Sequence, residues 1–564
     1  MMLGLSKDFC QKVLLMKNNK LTPEAKYLLI RILFLYGNTT LMLSTKEVVK
    51  QLGVSDAVFR KARSLLLGLG YLKDTKIDPE FVRTVGRPRI KLQLTQLLFD
   101  DLDKLNIKST CLAHELRLNS LLFWPVNHDF LRSINKKKIK SESQEVQSSG
   151  HTFTAATRIL LAVLYLHADV CGAVRNLGLV EVSKFTGMSS DRLESQLGII
   201  EDMGYLLSRV SGITHKHIFG HAKGVFFLNV CGDNLAGLET HSLWLALNTT
   251  AINHYNQYYL GFRVYKFIND LENIFYYNAN DVSSLINDVK TDDIQGDQCD
   301  ADWEDRLPEL LQNIRKLLVE EGLYFRFSKH MVVDGTFFFA GILKVQLFEW
   351  LRLFAPYKLH EFFAGEVTKS FLRYFQSQID YYASMLLDRS WKQIEPEALY
   401  IDDSVLREIE LKALPLKNKE LSSTDDIQKK AFIFFLYCIS YQHALIVKAL
   451  VLCALPNTFS FEQAKFALLP IKLKGDIRAA SFLISIHLIG QKESVEKIWA
   501  VEFGVKDPKD ASSLKPYCVR LFKEDCVAAF ANHGYDLKLL NQIGFAISAN
   551  SDSEDGVISA NSPS

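Results

Sequence analysis

Nine cysteines are scattered through 564 residues without a single C-x-x-C pair. That excludes a disulfide framework and a zinc ribbon, and it suits reduced, buried thiols. Neither sign of charge is in excess: 66 Lys and Arg against 64 Asp and Glu leave a net charge of +2. No global field draws the chain to nucleic acid, so any contact with a polyanion has to come from a local patch. The opening residues, MMLGLSKDFCQK, set Lys7 and Asp8 where a signal peptide needs an apolar run, and a cytoplasmic location is the expectation. Also missing are G-x-x-x-x-G-K-[ST], G-x-G-x-x-G, G-x-S-x-G and H-E-x-x-H. With them go the phosphate-cradling loop, the dinucleotide fold, the serine nucleophile elbow and the zinc-protease helix. No enzyme, no cofactor and no metal are expected.

One long hydrophobic run is present, Ala431 to Leu455, but Gln442, His443 and Lys448 interrupt it. A charge at mid-bilayer costs roughly 3 kcal/mol, so the run reads as a buried core helix, or two helical pieces, and not as a membrane span. The rest of the composition, 48% hydrophobic and 23% charged, is that of a globular chain with ample core material and length for three or four domains.

What the chain does contain is a repeat. GVSDAVFRKARSLLLGLGYL (Gly53 to Leu72) and GMSSDRLESQLGIIEDMGYL (Gly187 to Leu206) each run from Gly, an apolar residue and Ser, through a helical stretch, to Gly-Tyr-Leu at the same spacing. Gly53 supplies the left-handed conformation of a tight turn, and Ser55 and Ser189 are natural helix N-caps. Phe59, Ala62, Leu66 and Leu69 recur at helical spacing and make a core face. Upstream, Thr22 caps and Pro23 opens one helix, and Ser44 caps a shorter one. FTAATRILLAVLYLHAD and LVEVSKFT repeat that order in the second unit. Downstream of each Gly-Tyr-Leu come two alternating runs around a loop: YLKDTKI and RIKLQLT, then YLLSRV and GVFFLNV. Three helices and a β-hairpin describe a winged helix-turn-helix.

The first hairpin carries Gly86-Arg87-Pro88-Arg89 and then a strand ending in Leu94-Thr95. In this the chain resembles the bacterial winged helix-turn-helix regulators, over Leu21 to about Thr95 well and over Phe153 to about Val230 less well. The second unit lacks the Gly-Arg-Pro-Arg. Arg83, Arg87 and Arg89 would meet the concentrated negative potential of a narrow minor groove. The helix before them would enter the major groove with Ser55, Ala57, Arg60, Lys61 and Ser64, and with Arg63 at the edge of that face. The second unit offers Ser190 beside Asp191 and Glu194, whose carboxylates repel phosphate. Its basic part is the hairpin, with Lys216 and Lys223, so it would touch the DNA backbone there or serve protein contacts. His215, His217 and His221 in that hairpin do not follow a zinc spacing and read as a polar tip.

The expected fold is mainly α with small β-hairpins (α+β), with tandem winged helix-turn-helix domains followed by a helical C-terminal region. Its divisions are a first winged helix domain (1–133), a polar lysine-bearing linker (134–150), a second winged helix domain (151–235) and a possible degenerate third copy (236–365). A helical domain (366–545) and a disordered Ser-rich tail (546–564) follow. The expected function is sequence-specific binding of double-stranded DNA as a transcription regulator. Two alternatives are an initiator of replication of a plasmid or mobile element and a protein-binding subunit of a chromosome-organising or phage-defence assembly. The C-terminal half is expected to hold a homo-oligomer or protein partner.

Overall fold

A computed structural model describes residues 2–18, 20–74, 89–105, 113–123, 153–215, 217–230, 242–248, 359–363, 367–395, 400–414, 423–454, 460–470, 482–488, 498–505 and 516–521. The linker 134–150, most of the possible third copy and the tail lie outside these residues.

The chain opens with helix α1 (Met2–Leu15). Helix α2 (Pro23–Tyr36) starts at Thr22, whose hydroxyl accepts the Ala25 N–H at 3.3 Å, with proline in the first turn where a missing N–H costs nothing. Strand β1 (Leu41–Ser44) leads into α3 (Thr45–Leu52). Ser44 and Glu47 close a reciprocal capping box there, at 3.3 and 2.9 Å. Gly53 ends α3 in the left-handed conformation (φ 67°), and α4 (Asp56–Gly68) begins at once behind its Ser55 cap. Phe59, Ala62 and Leu66 form the buried face of α4. Strands β2 (Leu72–Asp74) and β3 (Arg89–Leu94) complete an antiparallel sheet of order β1-β3-β2, with Leu72 opposite Leu94 and Leu41 opposite Leu92. Helices α5 (Gln96–Asp103) and α6 (Glu115–Phe123) follow.

The second unit repeats this order. It runs α7 (Ala155–His167), β4 (Ala173–Val174), α8 (Leu179–Thr186), α9 (Ser190–Asp202), β5 (Leu206–Val210) and β8 (Val225–Leu228), with the equivalent sheet order β4-β8-β5. Between β5 and β8 a short ribbon, β6 (Ile213–Thr214) and β7 (His221–Ala222), extends the hairpin.

The two units share one hydrophobic core, and four buried cations, Lys26, Arg31, Arg117 and Arg158, lie within it among the described residues. Lys26 of α2 donates to the carbonyls of Met16 and Phe185 at 2.5 and 2.6 Å. Arg31, one and a half turns on, donates to the carbonyls of Gln51, Leu52, Leu122 and Phe123. Arg158 of α7 donates to the Leu121 carbonyl at 3.0 Å and lies over the Tyr27 ring. These acceptors cluster at the C-terminal ends of α1, α3, α6 and α8, where carbonyls lack a helical partner and the helix dipole is negative. The cations thus stand in for caps, and Lys26 and Arg158 each reach from their own unit toward the other.

The C-terminal part departs from the helical expectation. Helices α10 (Lys369–Ser390), α11 (Asp403–Ala413) and α12 (Ser423–Ala454) do occur, preceded by a 3-10 turn at Leu359–Phe363. They share this part with a five-stranded sheet of β9 (Ser242–Asn248), β10 (Lys465–Pro470), β11 (Phe482–His487), β12 (Ile498–Val505) and β13 (Pro516–Leu521), in the order β10-β11-β9-β12-β13. Only the β9–β12 pair within it is parallel. The segments FEQAKFALLPIKL and AASFLISIHLIG, predicted helical, supply two of these strands. The reason is burial on both faces: Phe466, Ala467, Leu468 and Leu469 are all buried, as are Ile484, Ser485 and Ile486. A strand covered on both sides reads as a continuous apolar run and loses the alternation that betrays it. The described chain is therefore mainly helical with small, mostly antiparallel sheets.

The apolar run 431–455 is the core of α12, packed on α10. The polar residues that interrupt it are satisfied by protein: His443 meets Asp380 at 3.1 Å, and Lys448 donates to the Trp391 and Ile394 carbonyls at 2.7 Å each. Among the described residues no helix is long and apolar enough to cross a membrane.

Burial holds Lys26 down at a pKa of about 7, below its ordinary 10.5. Between those values the unfolded chain binds a proton that the folded chain lacks, so stability rises as pH rises from 7 toward 10 and levels off below 7. Urea unfolding of wild type and Lys26→Met at pH 7, 8 and 9 tests this. The wild type should gain more with pH than the variant, by roughly 1 kcal/mol per unit at most. Parallel curves would mean that Lys26 stays charged among its carbonyls.

Candidate nucleic-acid interface

In the first unit, α4 turns Phe59, Ala62 and Leu66 inward and leaves Ser55, Ala57, Arg60, Lys61 and Ser64 exposed on its outer face. Arg60 is the most prominent, with a side chain 74% exposed and held to Asp56 one turn earlier at 2.6 Å. Such a pair contributes a few tenths of a kcal/mol, weak enough to be exchanged for a phosphate or a base edge. Arg63 is half-buried and bonded to Asp74, the last residue of β2. That contact ties α4 to the end of β2, at the base of the hairpin.

Arg89 opens β3 with its backbone opposite Ser44, on the side of the sheet nearest the hairpin tip. Arg83 and Arg87 lie outside the described residues. Lys73 at the hairpin base is exposed, as are Lys46 and Lys50 on α3. The sequence reading passed over these three cations, because single scattered lysines carry no pattern of their own. It also missed Asp74, the carboxylate that holds Arg63. Asp56 was legible at i,i+4 from Arg60, but Asp74 meets Arg63 only through the fold.

The second unit is placed differently. Ser190, in the first turn of α9, is exposed beside Asp191. Glu194 pairs with Arg209 at 2.5 Å. Arg192 turns to the first unit, where it bonds Glu24 near the start of α2. Burial raises the Glu24 pKa, but the Arg192 bond and charge more than offset this and leave it below its usual 4.5. The turn between α8 and α9 also packs there. Gly187 has φ 73°, and a Cβ on it would collide with the Leu21 carbonyl.

Lys223 is exposed on the hairpin but carries an ion pair. It bonds Glu181 at 2.7 Å and the Asn176 carbonyl at 3.2 Å, and its bond holds the Glu181 carboxyl below the usual value. Lys216 lies outside the described residues. The hairpin tip, expected to be a polar solvent-facing turn, is instead largely covered: His215, Ile218 and Phe219 are buried. They pack on α10 and on the end of α11, with the His215 ring 4.7 Å from Phe371 and Phe219 N–H donating to the Ala413 carbonyl at 2.7 Å. The apolar Ile218 and Phe219 inside a His- and Lys-rich loop were the available signal.

No family model, curated protein or solved structure matches this chain.

The joint at Gly187 is directly testable. Gly187→Ala strains a left-handed residue and drives a methyl into backbone, so the variant should lose 2 kcal/mol or more, roughly, in denaturant unfolding. Gly53 takes the same left-handed conformation (φ 67°), and the strain of that conformation alone puts the cost of Gly53→Ala at about 1 kcal/mol. Equal losses would show that the units do not meet at this turn.

Proposed function

We propose that this protein binds double-stranded DNA sequence-specifically through its first unit, acting as a winged helix-turn-helix of the transcription-regulator class. The observation that carries the reading is the free outer face of α4, with Arg60 and Lys61, joined by the Arg63–Asp74 contact to the hairpin that bears Arg83, Arg87 and Arg89. In this reading the α4 face enters the major groove and the hairpin the adjacent minor groove. Local charge does what net charge does not, since phosphate contacts are short-ranged and additive.

The second unit takes another part. Its helix-turn-helix is seated on the first unit through Gly187 and Arg192, and its hairpin is seated on α10. These contacts favour the protein-binding reading for this unit, as an adaptor that carries the DNA-reading unit on the C-terminal half. A replication initiator remains the alternative within DNA binding. Binding sites repeated beside an origin, rather than single sites at promoters, would mark it.

Salt-titrated binding of the full chain to random-sequence duplex DNA tests the reading. Arg60→Ala/Lys61→Ala should weaken binding about tenfold or more and lower the log–log salt slope by up to about two, near one per phosphate contact. Arg87→Ala/Arg89→Ala should do likewise. Lys223→Ala should leave the slope unchanged, because Glu181 already holds that ammonium. Weak, salt-insensitive binding by the wild type would remove the DNA reading and leave the protein-binding one.

A further inference from the structure

The His-rich hairpin of the second unit holds a histidine whose surroundings suit only its neutral form. His215 is buried. Its Nδ1 accepts the backbone N–H groups of both His217 and Ile218 at 3.3 Å, which makes that nitrogen the unprotonated one. Its Nε2 therefore carries the hydrogen, is itself buried, and has no hydrogen-bond partner among the described residues. The ring is tilted against Phe371 of α10. Four residues on, Phe219 packs against Tyr374 and Phe375 of the same helix, at 5.4 and 6.1 Å between ring centroids. Phe219 is also the one non-glycine residue among those described with a positive φ, 63°. A bulky residue there costs on the order of 1–2 kcal/mol. The Ala413 bond and the aromatic packing offset that cost only while the hairpin stays docked.

We propose that the β6–β7 hairpin is a latch between the second unit and the C-terminal helices, closed only while the His215 imidazole is neutral and released when His215 takes up a proton. A proton on Nδ1 would abolish both acceptor bonds that shape the turn and set an N–H⁺ against two N–H donors. It would also place a charge in a buried position with no carboxylate beside it. The groups facing His215 do not compensate. Among the described residues of its own hairpin the titratable neighbour is His217, whose charge further disfavours protonation. His221 on β7 is engaged with the Thr214 hydroxyl at 3.0 Å. From α10 come Phe371, Phe375 and the Tyr374 phenol, with Arg373 exposed. From α11 comes the Ala413 carbonyl, and Lys412 beside it is held by Glu408 at 2.9 Å. A cation against the Phe371 face recovers about 0.5–1 kcal/mol, less than the loss of two hydrogen bonds and the desolvation of a charge. Burial accordingly holds the His215 pKa below its ordinary 6.5. The docked form therefore weakens as pH falls through about 6.5, since the released form binds the proton first. This mechanism stands on the hairpin's own contacts and does not depend on DNA reading.

Amide hydrogen exchange on the full chain, corrected for the intrinsic pH dependence of exchange, tests the latch between pH 7.5 and 5.5. Wild type should lose protection in the segment around Phe219, by up to about tenfold at pH 5.5. His215→Asn keeps an acceptor oxygen close to the Nδ1 position and cannot titrate, so its protection should stay level. Histidine C2 exchange read by mass spectrometry supplies the second measurement. In wild type, the His215 midpoint should fall below 6.5 and track the loss of protection. Protection that does not change in wild type, equal loss in both proteins, or a His215 midpoint at or above 6.5 would each overturn the proposal. If the Asn hairpin is already open at pH 7.5, the wild-type C2 midpoint decides alone.

Discussion

The structure depends on cations placed where helices run out. Lys26, Arg31 and Arg158 sit in the core shared by the two units, and their donors meet carbonyls at the ends of α1, α3, α6 and α8. A helix that ends inside a core leaves carbonyls without partners, and each such carbonyl is costly to bury dry. An ammonium or guanidinium satisfies several at once and interacts favourably with the dipoles behind them. Lys26 reaches Phe185 in the second unit, and Arg158 reaches back to Leu121 and Tyr27. The units are thereby joined by groups that neither could bury alone, and their relative placement sets what each has free.

Two copies of one pattern have diverged in use. The first keeps the outer face of α4 exposed. The second turns α9 toward Leu21 and Glu24 and sinks its hairpin tip between α10 and the end of α11. Further contacts tie the second unit to the C-terminal sheet: the Cys171 thiol donates to the Lys465 carbonyl at 3.3 Å, and the Ser485 hydroxyl reaches the Cys171 carbonyl. Asp191 and Glu194 stay exposed on α9, Glu194 paired with Arg209 of the same unit. In the proposed function one unit reads and the other couples, so a proton at His215 would act on the coupling.

Much of the repeat was legible because caps and turn glycines are local. Thr22, Ser44 and Ser55 cap the helices they were expected to cap, and Gly53 and Gly187 take the left-handed turn. Ser189 departs from this, standing at the N-cap of α9 without a side-chain cap bond. The outer face of α4 was readable from the spacing of Phe59, Ala62 and Leu66. The ion pairs of Arg63 and Lys223 were not, because Asp74 and Glu181 come from other elements. Lys26 and Arg158 each stand four residues after a capping threonine inside an apolar helix. That signal was visible and was passed over, since a lone cation in such a run says nothing of the carbonyls it will meet.

By itself, then, the order of residues determined the two helix-turn-helix units, their caps and the charged face of α4, because hydrogen bonds and side-chain periods spanning a few residues decide these. The tertiary structure alone decided which unit faces outward, that the second hairpin is buried, and that residues 465–470 and 482–487 are strands. Burial on two faces, and partners hundreds of residues away, leave no short-range trace for a sequence to show.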